Sequence, residues 1–292
     1  MYRNILLVAI ATLLFSSKLC AQDMGAGFAL PAIPTSLTTP EERANYLVLH
    51  YWDGLDMSTI KDGDNDTVNQ AFADFVTVLP YTSMRGEAFA TLWQRCYPYP
   101  DAFYTMLQLA ELYLYDVVSP LRNEEYYIEA LGAIRVDVNI EDMDKLAATS
   151  QLEMLKRNRV GEVATDFVFV DKQGAEHRLS EYEAEYTLLL FASADCDECK
   201  RMKRDIDANT RLWMMLRRGS LAIVAITISE DESIWQATTL PDRWIDGWDR
   251  EQQLERDGLY DLITKPRLYL LDSQKRVLLK NTTPREVEEY LN

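Results

Sequence analysis

An apolar run, YTLLLFAS (186–193), leads within three residues into Cys196-Asp197-Glu198-Cys199 and then into a segment with helical spacing. A strand that hands two thiols to the start of a helix leaves few architectures open. In that helical segment Met202, Ile206, Trp213 and Leu216 fall on one face, at steps of 4, 7 and 3. Three further runs read as strands: TDFVFVD (165–171), LAIVAITIS (221–229) and RLYLLD (267–272). A turn at Lys172-Gln173-Gly174 gives the first a short hairpin partner. Strands alternating with helices predict an α/β layered domain over 160–292.

The preceding half has a different texture. Residues 22–37 are a Gly/Pro-rich leader without periodicity. Thr39 and Glu42 then form a capping box, with Pro40 at the first helical position, where a missing N–H costs nothing. Ala44, Leu47, Val48 and Tyr51 continue at helical spacing. Val68 to Leu79, Ala88 to Cys96 and Phe103 to Leu114 predict three more helices. A segment starting at Ser119-Pro120 carries Tyr127, Leu131 and Ile134 on one face, and Met143, Leu146, Ala147 and Leu155 predict a last helix. No strand pattern and no fixed repeat interrupts them, so 38–158 reads as an all-α domain. DGDNDT (62–67) has a calcium-loop flavour but no glutamate at the twelfth position, and reads as a solvated turn.

The amino terminus has the form of a secretory signal over 1–21: Arg3, then the apolar ILLVAIATLLF (5–15), then a cleavage position after Ala21. The apolar stretch is shorter than the roughly 20 residues a membrane-spanning helix needs. Lipid attachment at Cys20 is the alternative, disfavoured by the bulk of Leu19. A periplasmic or otherwise exported protein is expected, without a transmembrane segment. The net charge of −17 becomes −19 once Arg3 and Lys18 are removed with the signal. That surface excludes nucleic acid and anionic membranes as partners.

Three cysteines remain beyond Cys20. Cys96 reads as a buried helix residue. Cys196 and Cys199 are placed where helix N–H groups and the helix dipole favour thiolate, the reactive form. Cys199 turns to the same face as Cys196 and can close a disulfide ring with it. The chemistry this supports is thiol–disulfide exchange, with Cys196 as nucleophile and Cys199 resolving the mixed disulfide. Two alternatives stand beside it. Zinc needs two more ligands, and His50 and His177 have no metal-ligand spacing with the pair, so no metal is expected. A structural disulfide here closes a very small loop, where stabilisation is least.

The stretch GEVATDFVFVDKQGAEHRLSEYEAEYTLLLFASADCDEC, with LITKPRLYLLD downstream, resembles TlpA/ResA-type thioredoxin-like proteins over about 160–292. The resemblance implies a thioredoxin fold, a mixed central sheet flanked by helices. It implies a redox-active Cys196–Cys199 disulfide with no other cofactor, and protein disulfides and a thiol electron donor as partners. It also implies that Pro266 is a cis-proline beside the disulfide, and that Lys265 before it offers backbone groups to a bound substrate chain. Two positions depart from the pattern: Asp195 where relatives carry Trp, and Met202 where reductive relatives carry an acid that shuttles protons. The stretches ERANYLVLHYWD and LYLYDVVSPLRNEEYY resemble a module of unknown function found ahead of such domains.

Asp195, Asp197 and Glu198 are expected to tune the pair. Like charge disfavours a thiolate, and a less stabilised thiolate makes a better reductant. Lys200, Arg201, Lys203 and Arg204 oppose them. The reading is an exported thiol:disulfide oxidoreductase that reduces protein disulfides. The alternative is an envelope binding or scaffold protein with a catalytically idle thioredoxin fold.

Overall fold

The computed structural model describes residues 28–61 and 66–292. The signal segment, Cys20, most of the leader and residues 62–65 of the polar turn lie outside the described residues. The chain divides into two compact units between Leu152 and Glu153.

The first unit is helical: α1 (Pro40–His50), α2 (Asp66–Val78), α3 (Arg85–Cys96), α4 (Pro100–Ala110), α5 (Glu124–Val136) and α6 (Asp142–Leu155). The Thr39 hydroxyl accepts from the Glu42 N–H at 3.2 Å and the Glu42 carboxylate accepts from the Thr39 N–H at 3.0 Å, closing the capping box of α1. Its core is a chain of aromatic contacts running from Tyr51 through Phe75, Phe89 and Trp93 to Phe103, with ring centroids 5.4–6.2 Å apart. The Trp93 indole finds its partner at the Ala130 carbonyl, 2.9 Å away.

Two helices differ from the sequence reading. Ser119 does not open α5; its hydroxyl donates to the Tyr113 carbonyl at 2.7 Å, and the helix starts at Glu124 under an Asn123 cap. In α6 the inward face is Ala148, Leu152 and Leu155, while Met143 and Leu146 are 76% and 63% exposed. Apolar residues recur on both faces of α6, so spacing alone did not select the packed one.

The second unit carries a seven-stranded mixed sheet, order β2-β1-β5-β4-β3-β6-β7. The strands are β1 (Val168–Val170), β2 (Glu176–Arg178), β3 (Tyr186–Ala192), β4 (Leu221–Thr227), β5 (Ile245–Trp248), β6 (Arg267–Asp272) and β7 (Val277–Leu279). The centre is parallel, β3 to β4 to β5, and β6 is antiparallel to β3. The long apolar runs fall on these central strands because both their faces are covered. Leu189, Phe191, Val224, Ile226 and Tyr269 enter one core; Leu188, Leu190, Ile223, Ala225 and Leu268 enter the other. On β5, Gly247 lies under the Phe169 ring, which a Cβ there would meet at 2.4 Å.

The helical segment after Cys199 is two helices, α7 (Asp197–Asp207) and α8 (Thr210–Arg218). Asn209 breaks them: its side-chain oxygen caps α8 through the Leu212 N–H at 3.0 Å, and its amide donates to Glu288 at 2.9 Å. The break rotates the buried face onto Leu212 and leaves Trp213 47% exposed. Three short helices complete the unit: α9 (Glu232–Ala237), α10 (Gln253–Arg256) and α11 (Pro284–Tyr290). The residues around 155–158 are tied into this unit. Lys280 donates to the Leu155 and Arg157 carbonyls at 2.7 and 3.0 Å, and Asn158 to the Leu259 carbonyl at 2.8 Å.

Candidate active site

Strand β3 ends at Ala192, and a three-residue link brings the chain to Cys196, the N-cap of α7. The Cys196 sulfur takes the place that a Ser or Asp oxygen usually fills, accepting from the Cys199 N–H at 3.1 Å. It therefore lies at the positive end of the helix dipole, against an N–H with no intrahelical partner. Cys196 and Cys199 are joined as a disulfide with Cα atoms 5.2 Å apart. Their surroundings differ: Cys196 is half-buried, whereas Cys199 is fully buried in the core cluster of Leu188, Ala192 and Leu268.

The loop before β6 supplies the other wall. The Lys265–Pro266 peptide bond is cis, and the Lys265 carbonyl oxygen lies 3.7 Å from the Cys196 sulfur. The fold thus brings together the dithiol and the two residues 66–70 positions downstream that the family resemblance names. Lys265 sends its ammonium to Glu255 in α10, 2.6 Å away.

The acids divide into two kinds. Asp197 pairs with Lys200 at 3.1 Å and Glu198 with Arg201 at 3.2 Å, both on the exposed first turns of α7. Asp195 accepts a hydrogen bond from the Ser193 hydroxyl, which holds its carboxyl below the usual carboxylate range, with Lys200 and Lys265 acting in the same sense. Asp195 is thus ionised at neutral pH and has no ion-pair partner among the described residues. Lys203, one turn beyond Cys199, is half-buried; burial pushes its ammonium down and the Asp246 carboxylate opposes this.

Elsewhere, His177 on β2 bonds Asp171 at 2.9 Å, and His50 on α1 bonds Asp53 at 2.9 Å. Among the described residues no three His, Cys, Asp or Glu side chains gather as a metal site, and no helix is long and apolar enough to cross a membrane.

The chain is similar to solved and curated proteins. A solved thioredoxin-like protein from Bacteroides caccae ATCC 43185 is 32% identical, with the alignment covering 91% of this chain and 98% of that one, at a TM-score of 0.75. The chain belongs to the thioredoxin-like thiol-disulfide oxidoreductase family. The thioredoxin-like half also matches curated relatives. Thiol-disulfide oxidoreductase ResA of Geobacillus kaustophilus (strain HTA426) is 26% identical over 141 residues, 45% of this chain and 76% of the relative. That of Geobacillus thermodenitrificans (strain NG80-2) is 31% identical over 71 residues, 24% of this chain and 39% of the relative. Residues 13–158 match a domain of unknown function, DUF5106, so the thioredoxin-like fold follows a DUF5106 domain.

One residue at this thioredoxin-like site had no sequence signal. Glu255 sits in a four-residue helix ten positions ahead of Lys265, and only the fold brings the two side chains together.

Proposed function

We propose that the chain is an exported thiol:disulfide oxidoreductase that reduces disulfides in other proteins. The observation that carries the reading is the asymmetry of the sulfur pair: one at a helix N-terminus and partly open, its partner sealed behind it. In the reduced state the Cys196 thiolate attacks a substrate disulfide. One substrate sulfur leaves as thiolate, and Cys196 is left in a mixed disulfide. Cys199, deprotonated, then attacks the Cys196 sulfur. The second substrate sulfur leaves, and the Cys196–Cys199 disulfide re-forms. Two electrons pass to the substrate, and the two protons of the dithiol end on the substrate thiols. A dithiol protein restores the reduced pair by the same exchange in reverse.

The resolving step requires Cys199 within bonding reach of Cys196, and the 5.2 Å Cα separation supports that. The carbonyl of Lys265 beside the nucleophile supports a substrate chain laid against the cis-proline loop. Export rests on the signal-like segment over 1–21. No cofactor beyond the disulfide enters the cycle.

The test is insulin reduction driven by dithiothreitol, with wild type and Cys196→Ala, followed by trapping with Cys199→Ala. The reading expects turnover in wild type, none in Cys196→Ala, and proteins held as mixed disulfides on Cys199→Ala. Absence of turnover and of any trapped protein overturns it in favour of a binding module with an idle redox fold.

A further inference from the structure

The sequence suggests an acidic ring around the nucleophile, but the fold largely neutralises it. Asp197 and Glu198 are matched by Lys200 and Arg201 on their own helix. From the opposite wall, Lys265 is matched by Glu255. Asp195 alone keeps an unmatched charge.

The three pairs are not equally exposed to solvent. The side chains of Asp197 and Lys200 are 91% and 51% exposed, and those of Glu198 and Arg201 62% and 60%. Those of Lys265 and Glu255 are 25% and 44% exposed, so the ion pair at 2.6 Å is the least screened of the three. Lys265 is also the cation on the cis-proline loop, whose carbonyl touches the Cys196 sulfur at 3.7 Å. A lysine ammonium on four rotatable bonds turns toward whichever nearby charge attracts it most. With Glu255 present it is held in that ion pair; without it, the Cys196 thiolate and Asp195, on which Lys265 already acts, are the anions of the site.

We propose that Glu255 is a positioning residue for the redox centre: it holds the Lys265 ammonium in an ion pair, prevents that cation from stabilising the Cys196 thiolate, and so biases the dithiol toward giving electrons away. This rests on the exchange reading above and adds to it the element that sets the direction of electron flow. An oxidising dithiol is one whose reduced form is stabilised, and a cation beside the thiolate does that. Glu255 counteracts it from a helix that does not otherwise touch the sulfurs.

The experiment uses the chain from residue 22 onward, which lacks Cys20, fully reduced, and follows the pH dependence of iodoacetamide alkylation at low ionic strength. Cys96 and Cys199 are both buried, so the rate reports Cys196. In Glu255→Gln the apparent pKa of Cys196 falls. The alkylation rate well below that pKa rises about two- to threefold, the size expected of one charge several ångströms away at high effective dielectric. Above that pKa, the equilibrium with oxidised and reduced glutathione moves toward the dithiol by about the same factor. Raising the salt toward 1 M shrinks both changes, which a mere displacement of the loop does not predict.

The second variant tests the route. In a Lys265→Met background the Glu255→Gln change lowers the pKa by less than it does in the wild type, because only the carboxylate's own charge is lost and no cation is released toward the sulfur. An unchanged pKa in Glu255→Gln, or an effect just as large without Lys265, overturns the proposal. Failure of the wild-type pair to equilibrate with glutathione at all strikes the exchange reading instead.

Discussion

Cys96 and Cys196 are the same side chain at opposite ends of two helices. Cys96 is the last residue of α3, fully buried, with its sulfur 3.6 Å from the Trp93 carbonyl. Burial pushes its thiol far above the usual range. Cys196 caps the first turn of α7, half-open, with a backbone N–H aimed at its sulfur. A helix carboxyl end and an apolar core both oppose thiolate; a helix amino end and an unpaired N–H both favour it. Reactivity here is a property of position, and four changes test how far that holds.

The largest effect is loss of the nucleophile. Cys196→Ala abolishes dithiothreitol-driven insulin reduction, while Cys96→Ala retains it within about twofold. The cost of the latter falls on packing instead, about 1 kcal/mol for the small cavity left in the first unit, measured as a lower urea midpoint. Equal loss in both variants breaks the comparison.

Next comes the contrast in accessibility. In the reduced native protein, Cys196 reacts with Ellman's reagent within seconds, and Cys96 reacts only after guanidinium unfolding. The rates differ by more than about a thousandfold, since Cys96 waits for an opening that costs several kcal/mol. A Cys96 that reacts in the folded chain at a comparable rate contradicts its place in the aromatic core.

Much of this was legible before any coordinates. The long apolar runs at 186–193, 221–229 and 267–272 are β3, β4 and β6, visible because central strands are covered on both faces. Strand β5 was not: it is four residues, two of them Asp246 and Gly247, and it borrows its cover from Phe169. Helix α11 was announced by Thr283, Pro284 and Glu286, the same capping box that identified α1, and went unread. The dithiol is legible as a local pattern, and the cis-proline loop through the family resemblance carried by LITKPRLYLLD. The ion pairs that offset Asp197 and Glu198 lay three residues away on the same helix, and only their geometry was missing. The Glu255–Lys265 pair depends on where α10 comes to rest, which no local pattern encodes.

The same rule of position extends to carboxylates and gives the third test. Asp74 on α2 is buried, with Oδ2 lacking a hydrogen-bond partner among the described residues, and burial raises its pKa against the opposing Gln70 amide. The folded chain therefore holds that proton more tightly than the unfolded chain. The resulting stability is full below the unfolded value of about 4, and is lost as pH rises through the raised folded value. Asp74→Asn is expected to raise the urea midpoint at pH 7, with the gain fading as the pH falls toward 4. Asp195, whose carboxyl is lowered, has the opposite sign: its contribution is present above the unfolded value and is lost as pH falls through the folded one. A gain in Asp74→Asn that does not depend on pH removes the burial argument.

The smallest effect isolates the capping role of the sulfur from its redox role. Cys196→Ser and Cys196→Ala both lack the disulfide and both lack turnover, so redox chemistry cancels between them. What differs is the acceptor at the N-cap of α7: the serine hydroxyl takes over the Cys199 N–H, and alanine leaves it to solvent. Cys196→Ser is expected to be more stable by about 0.5–1 kcal/mol, read as a higher urea midpoint at unchanged slope. Sulfur is a weaker acceptor than oxygen, so reduced wild type falls between the two. Identical midpoints for the two variants mean that the first turn of α7 is held by its packing on the sheet alone, and that Cys196 occupies the cap for its chemistry without contributing to the fold.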